Sequence, residues 1–152
     1  MPELTSDKHP IGLAGVRFLD LRTIHDVTGN LTPIEEWRDV PFDIKRVFFL
    51  YDVPGGAERG GHANQTLEEI VVAVSGSFDV VVEDHTGANR FTLNRAYRAL
   101  YLPPMVWTNL ENFSSNAVAL FLAGDAFDET DYIRNRTEFL EAAQRGAASG
   151  PG

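Results

Sequence analysis

The chain is written in short β-forming runs. Segments 16–21, 31–36, 44–53, 67–75, 77–83, 89–93, 97–102 and 117–124 are mostly rich in Val, Ile, Phe, Leu or Tyr and are bounded by Gly, Pro, Asn or Asp. Apolar runs of that length between turn residues read as strands. Ser75-Gly76-Ser77 is a tight corner between two of them, and residues 78–83 lead into a turn at Asp84-His85-Thr86-Gly87. One stretch has helical spacing instead: after Asp128-Glu129-Thr130, the side chains of Ile133, Phe139, Leu140 and Ala143 share one broad face. Acidic residues in its first turn, Arg145 near its end and Gly146 beyond are start and stop signals, so a helix is predicted over about 129–145. Many strands followed by one terminal helix predict an all-β jelly roll with a C-terminal α-helix. Residues 1–10 read as a flexible leader and 146–152 as a frayed tail, leaving 11–145 as one domain.

Composition narrows the function. At 152 residues with 43% hydrophobic and 23% charged side chains, the chain has the make-up of a soluble globular protein. It contains no cysteine, which removes disulfides, thiolate nucleophiles, zinc knuckles and iron–sulfur clusters. The net charge of −9 argues against nucleic-acid and anionic-membrane partners, both of which need a dense basic surface. A small anionic ligand stays open, held by a few local arginines. The start is polar and lacks a signal-peptide pattern, and the best apolar run, residues 70–74, is too short to span a bilayer. A cytoplasmic location is the expectation.

A jelly roll of this size invites comparison with the cupins, whose first motif runs H-x-H, then Glu, then Gly. His62-Ala63-Asn64, Glu69 and Gly76 keep that spacing, with Asn64 in place of the second histidine. In the second motif Pro103 keeps its place and Thr108 stands where a histidine ligand belongs. A neutral amide and a hydroxyl are much poorer ligands than imidazole for Fe, Mn, Ni or Zn. The expectation is a cupin-type double-stranded β-helix with no metal and no cofactor.

Six fragments in order then resemble the WxcM-like sugar 3,4-ketoisomerases. They are Pro41-Phe42-Asp43-Ile44-Lys45-Arg46-Val47-Phe48-Phe49, Arg59-Gly60-Gly61-His62-Ala63-Asn64, Val74-Ser75-Gly76-Ser77, Leu102-Pro103-Pro104-Met105-Val106-Trp107, Asn112-Phe113-Ser114-Ser115 and Asp128-Glu129-Thr130-Asp131-Tyr132-Ile133-Arg134. The likeness runs from about Phe18 to Leu140. It implies a dimeric cupin that shuttles a proton between C3 and C4 of a dTDP-linked 4-oxo-6-deoxyhexose without metal. Such chemistry needs an acid/base near neutrality and donors for the developing oxyanion. His62 matches the first histidine of the family's H-A-H and is the acid/base candidate.

Three departures cluster near the implied sugar site. Asn64 replaces the second histidine and can orient a ketone but cannot titrate. Thr108 stands where relatives often carry His or Arg, and Thr28 where they place an Arg or aromatic residue beside the sugar. Arg46 and Arg59 are candidates for a diphosphate or sugar oxygens, because guanidinium reads phosphate bidentately. Tyr51, Tyr101 and Trp107 are candidates to line the pocket or stack on the base. Glu68 and Glu69 are adjacent on a strand, so only one of them can enter the site. His9, His25 and His85 read as solvated. The glycines Gly55-Gly56 and Gly60-Gly61 read as turns bracketing a loop that carries His62.

Two other functions fit the same residues. With Asn64 and Thr108 in place of histidines, the pocket could isomerise, epimerise or cyclise a non-sugar intermediate. It could also bind a nucleotide sugar without turning it over.

Overall fold

The computed structural model describes residues 10–148, so most of the predicted leader and the end of the predicted tail lie outside the described residues. The strands are β1 (Arg17–Asp20), β2 (Ile24–Asp26), β3 (Gly29–Leu31), β4 (Arg46–Leu50), β5 (Arg59–Asn64) and β6 (Glu69–Ser75). They continue as β7 (Phe78–Asp84), β8 (Gly87–Leu93), β9 (Arg98–Leu102), β10 (Trp107–Glu111), β11 (Val118–Ala123) and β12 (Tyr132–Ile133), before helix α1 (Arg136–Ala148). Two five-stranded sheets form, in the orders β1-β9-β6-β11-β4 and β12-β5-β10-β7-β8, with β2 and β3 as a separate hairpin. All these strand pairs are antiparallel, as a jelly roll requires.

Three apolar clusters hold the layers. Between the sheets, Val71, Leu100, Leu102 and Phe121 meet Phe78, Val80, Val82 and Leu110. The outer face of the first sheet is covered by Val40, Phe42 and Leu21, which pack on Ile70, Val72 and Tyr101. That double cover explains the unbroken apolar run in β6, whose Ile70, Val71, Val72 and Ala73 are all buried. Each such side chain removed from water contributes roughly 1.5–3 kcal/mol. On the far side of the second sheet, Phe139 and Ala143 of α1 seat on Ala63, with Trp107 and Ile133 alongside. Arg136 at the start of α1 also pairs with Glu83 of β7, with Nη2 2.8 Å from the carboxylate.

The predicted corner at Gly76 is present. Its φ of +64° is one that side chains rarely adopt, and a Cβ there would lie 2.4 Å from Ser114 Oγ and 2.8 Å from the Ala117 backbone.

Two predicted elements are corrected. The run 31–36 is not a strand beyond Leu31: Pro33 lacks a ladder donor, and the segment closes instead on Asp39, whose carboxylate takes the Glu35 N–H at 2.8 Å and the Arg22 guanidinium at 2.7 Å. The helix does not start at 129. Asp128 caps a short 3-10 turn, Glu129–Asp131, by accepting the Thr130 N–H at 3.0 Å. Tyr132 and Ile133 then pair with Asn64 and Ala63. The α-helix begins only after Asn135, whose side chain takes the Glu138 N–H at 2.9 Å, and it runs through Gly146 to Ala148.

Candidate active site

His62 sits on a strand rather than in a loop, and the glycines before it are the reason. In the β5–β10 pairing Gly60 faces Asn109 and His62 faces Thr108, so Gly61 is an extra residue bulged out of the ladder. Gly60 and Gly61 have φ of +97° and +73°. A Cβ on Gly60 would stand 2.8 Å from the Thr108 carbonyl oxygen. Only glycine allows this approach of the two backbones, and the bulge re-aims the side chain that follows.

That side chain lines a cavity of about 120 Å³ between the sheets. One sheet supplies Phe48, Leu50, Glu69 and Phe121; the other supplies Arg59, His62, Thr108, Leu110 and Tyr132. The half-buried His62 ring meets the Tyr132 ring edge-on, centroids 4.8 Å apart. Burial and then the Arg134 charge push the His62 pKa below its ordinary value, against a backbone hydrogen bond at Gly60 and the Glu129 charge. The imidazole is therefore neutral at pH 7 and ready to accept a proton. Glu69 is only 7% exposed, and burial raises its pKa to about 7 despite the Arg46 charge.

A second cleft of about 370 Å³ adjoins the cavity and shares Tyr132 with it. Arg46 lines it, its guanidinium 4.8 Å from the Phe48 ring centroid and 5.4 Å from that of Phe127. Its Nη2 donates to the Tyr132 hydroxyl at 3.4 Å, while its Nε is buried with no partner. Such an orphaned donor costs about 1–3 kcal/mol and favours a ligand that accepts from it.

Asn64 lines this second cleft rather than the His62 cavity. Its amide nitrogen donates to Asp131 at 3.3 Å, and Asp131 also accepts from Thr66 N–H, Thr66 Oγ and Leu67 N–H at 2.9, 2.7 and 3.2 Å. Asp131 thus pins the 3-10 turn to the link between β5 and β6.

The structure brings His62, Arg59 and Thr108 to one cavity and places Arg46 and Asn64 at the next. Four of the sequence candidates lie elsewhere. Leu100 and Leu102 of β9 face the inter-sheet core, so alternation turns Tyr101 to the outer core, where its hydroxyl donates to Glu68 at 2.6 Å. Thr108 and Leu110 of β10 face the cavity, so Trp107 points to α1 and packs on Phe139 at 5.7 Å. Tyr51 is exposed beyond β4 with its ring beside Phe49. Thr28 is exposed in the turn joining β2 and β3. Sequence reasoning in turn passed over Glu69 and Tyr132 as site residues. The cupin spacing does mark Glu69, whereas Tyr132 lies in the stretch predicted as helix, which hides its pairing with Asn64.

Glu68 and Glu69 divide the two faces of β6 as expected, Glu68 going to Tyr101 and Glu69 to the cavity. Among the described residues, no group of three or more His, Cys, Asp or Glu side chains is placed to hold a metal ion. No helix among them is long and apolar enough to cross a membrane.

Comparison with known proteins agrees with this geometry. A TDP-4-oxo-6-deoxy-α-D-glucose 3,4-oxoisomerase of Aneurinibacillus thermoaerophilus is 39% identical over 123 residues, covering 81% of this chain and 88% of that protein. The sugar 3,4-ketoisomerase QdtA of Thermoanaerobacterium thermosaccharolyticum, solved in complex with TDP, superposes with a TM-score of 0.86 at 34% identity, covering 88% of this chain and 97% of that one. WlaRB, a TDP-quinovose 3,4-ketoisomerase of Campylobacter jejuni, gives a TM-score of 0.81 at 38% identity, over 85% of this chain and 99% of that one. The family described as FdtA (WxcM-like, C-terminal) matches residues 14–144, nearly everything from the first turn to the end of α1, and this cupin-type jelly roll belongs to it.

Proposed function

We propose that this protein is a nucleotide-sugar 3,4-ketoisomerase acting on a dTDP-linked 4-oxo-6-deoxyhexose. The observation that carries the reading is a half-buried histidine, His62, whose pKa burial pushes down, inside a small inter-sheet cavity beside a larger cleft held by Arg46. The sugar ring occupies the cavity. The nucleotide diphosphate runs along the cleft, where the Arg46 guanidinium donates to its anionic oxygens, and Arg59 donates from the adjoining cavity. His62 takes the C3 proton beside the C4 ketone and returns it to C4. Thr108, the buried hydroxyl opposite His62, holds a sugar oxygen. Asn64 supports the site through Asp131 instead of titrating.

The reaction needs no metal in this reading, since an amide and a hydroxyl stand at two ligand positions of the cupin motifs. The protein works in the cytoplasm as a homodimer. Support for the dimer comes from the outer face of edge strand β4, where Val47, Phe49 and Tyr51 are all more than half exposed.

Purified protein incubated with dTDP-4-oxo-6-deoxyglucose in deuterated water tests the assignment. Deuterium appearing at C3 or C4 together with a 3-oxo product is the expected result. No incorporation, with a competent relative as control, overturns it. A second reading is favoured by Asn64 and Thr108: the pocket binds the nucleotide sugar without isomerising it. Tight dTDP binding by calorimetry with no exchange in the same experiment establishes that reading instead.

A further inference from the structure

The ketoisomerase reading leaves one proton unassigned. Moving the carbonyl from C4 to C3 transfers a carbon-bound proton from C3 to C4, and it also transfers an oxygen-bound proton from O3 to O4. His62 accounts for the first. The amide that replaces the family's second histidine cannot carry the second, and it is turned to Asp131 in any case.

Among the residues lining the His62 cavity, the groups that ionise are Arg59, His62, Glu69 and Tyr132. Arg59 is a fixed cation. The Tyr132 hydroxyl is engaged by Arg46. Glu69 reaches the cavity from the sheet opposite His62, and among the described residues no protein donor is hydrogen-bonded to its carboxyl. Glu69 is buried yet lines the cavity wall. The charged and titratable groups around it are Arg46 from β4, Arg59 and His62 from β5 and Tyr132 from β12; its partners on β9 and β11 are the apolar Leu102 and Ala123.

We infer that Glu69 is the second catalytic residue, carrying the oxygen-bound proton while His62 carries the carbon-bound one. This rests on the ketoisomerase reading and deepens it. In the first half, neutral His62 removes the proton from C3, the C3–C4 double bond forms, and the Glu69 carboxylic acid donates its proton to O4. The result is an enediol between an imidazolium and a carboxylate. In the second half, the imidazolium protonates C4, the C3 carbonyl forms, and the Glu69 carboxylate takes the proton from O3. Both groups return to their starting states, and nothing else is consumed. The starting states are those the cavity imposes. Burial keeps the imidazole neutral and holds the carboxyl protonated up to about pH 7.

The test compares kcat/KM against pH for the wild type and Glu69→Gln, with dTDP affinity measured on both. The wild type should lose activity above about pH 7 as Glu69 ionises. Glu69→Gln should bind dTDP within about threefold of wild type, turn over roughly a hundredfold more slowly, and show no alkaline limb. In Glu69→Ala, added formate should restore part of the rate. An active wild type with Glu69→Gln within threefold of it, or a wild-type profile flat from pH 6 to 8.5, overturns the role of Glu69 alone; the flat profile decides even if the variants fail to fold. A wild type inert toward the sugar overturns the ketoisomerase reading beneath it, which separates the two failures.

Discussion

The imidazole of His62 and the ring of Tyr132 touch edge to face, 65° between their planes. This contact ties β5 to the two-residue strand β12, and through it to the Asp131 turn and the Arg46 guanidinium. The position of the His62 ring thus depends on a segment more than sixty residues away in the chain.

Replacing His62 by Asn removes the proposed carrier of the carbon-bound proton and leaves the cavity lined. Turnover should fall by roughly 10²–10⁴-fold, the usual worth of a positioned general base. Binding of dTDP should stay within a few-fold. Proton NMR in deuterated water reads the first quantity and calorimetry the second. Full exchange activity in the variant removes His62 from its role.

The raised pKa of Glu69 has a stability consequence. A carboxyl whose folded pKa lies above its unfolded value near 4.5 favours the folded state fully below pH 4.5, and loses that stability as pH rises through about 7. The loss is about 3 kcal/mol at most. Wild type should therefore melt lower at pH 8 than at pH 5 relative to Glu69→Gln, which has nothing to ionise there. Thermal melts of both proteins across that range measure the difference. Parallel curves contradict it.

Arg46→Met should raise KM at least tenfold with a smaller change in kcat. It should leave the melting temperature nearly unchanged, because it also deletes a buried donor that has no partner. Steady-state kinetics and a thermal melt together check this. A large loss of stability would show that the guanidinium serves packing between Phe48 and Phe127 instead.

Asp131→Ala should cost about 2 kcal/mol, since one carboxylate answers four donors from three residues and their loss leaves backbone N–H groups unpaired. Urea unfolding measures the stability. Turnover should fall as well, because Tyr132 follows directly in the chain and forms part of the His62 cavity.

Tyr101→Phe separates a structural tyrosine from a catalytic one. Removing the hydroxyl that donates to Glu68 at 2.6 Å should lower stability by about 1–2 kcal/mol and leave kcat within twofold. Denaturant melts and kinetics on the same preparation settle both parts.

The sequence is legible wherever a strand is built from apolar side chains. Strands β1, β4, β6, β9 and β11 fall inside the predicted apolar runs and β7 overruns its own by one residue, because burial drives both the composition and the strand, whereas the mostly exposed β8 starts two residues before its run. It is opaque where backbone does the work. β5 begins Arg59-Gly60-Gly61 and shows no apolar alternation, and its bulge is a property of glycine φ angles and a neighbouring carbonyl. The helix start misled for a definite reason: Asp128-Glu129-Thr130 has the polarity of a helix N-terminus, and it does cap a turn, but a 3-10 turn. Aromatic identity alone could not tell that Tyr101 and Trp107 face away from the cavity, since that depends on the parity of β9 and β10. The same parity keeps Glu68 and Glu69 from entering the cavity together without showing whether either does.

The division of labour along β6 constrains how this protein can change. Consecutive carboxyls serve unrelated ends on opposite faces of one strand, so single replacements at Glu68 or Glu69 alter one end and leave the other. An inserted or deleted residue in β6 would exchange them, turning the Tyr101 partner toward the substrate and driving the cavity acid into the outer core. The two carboxyls of β6 can therefore be altered independently by substitution, whereas a change in the length of the strand alters both at once.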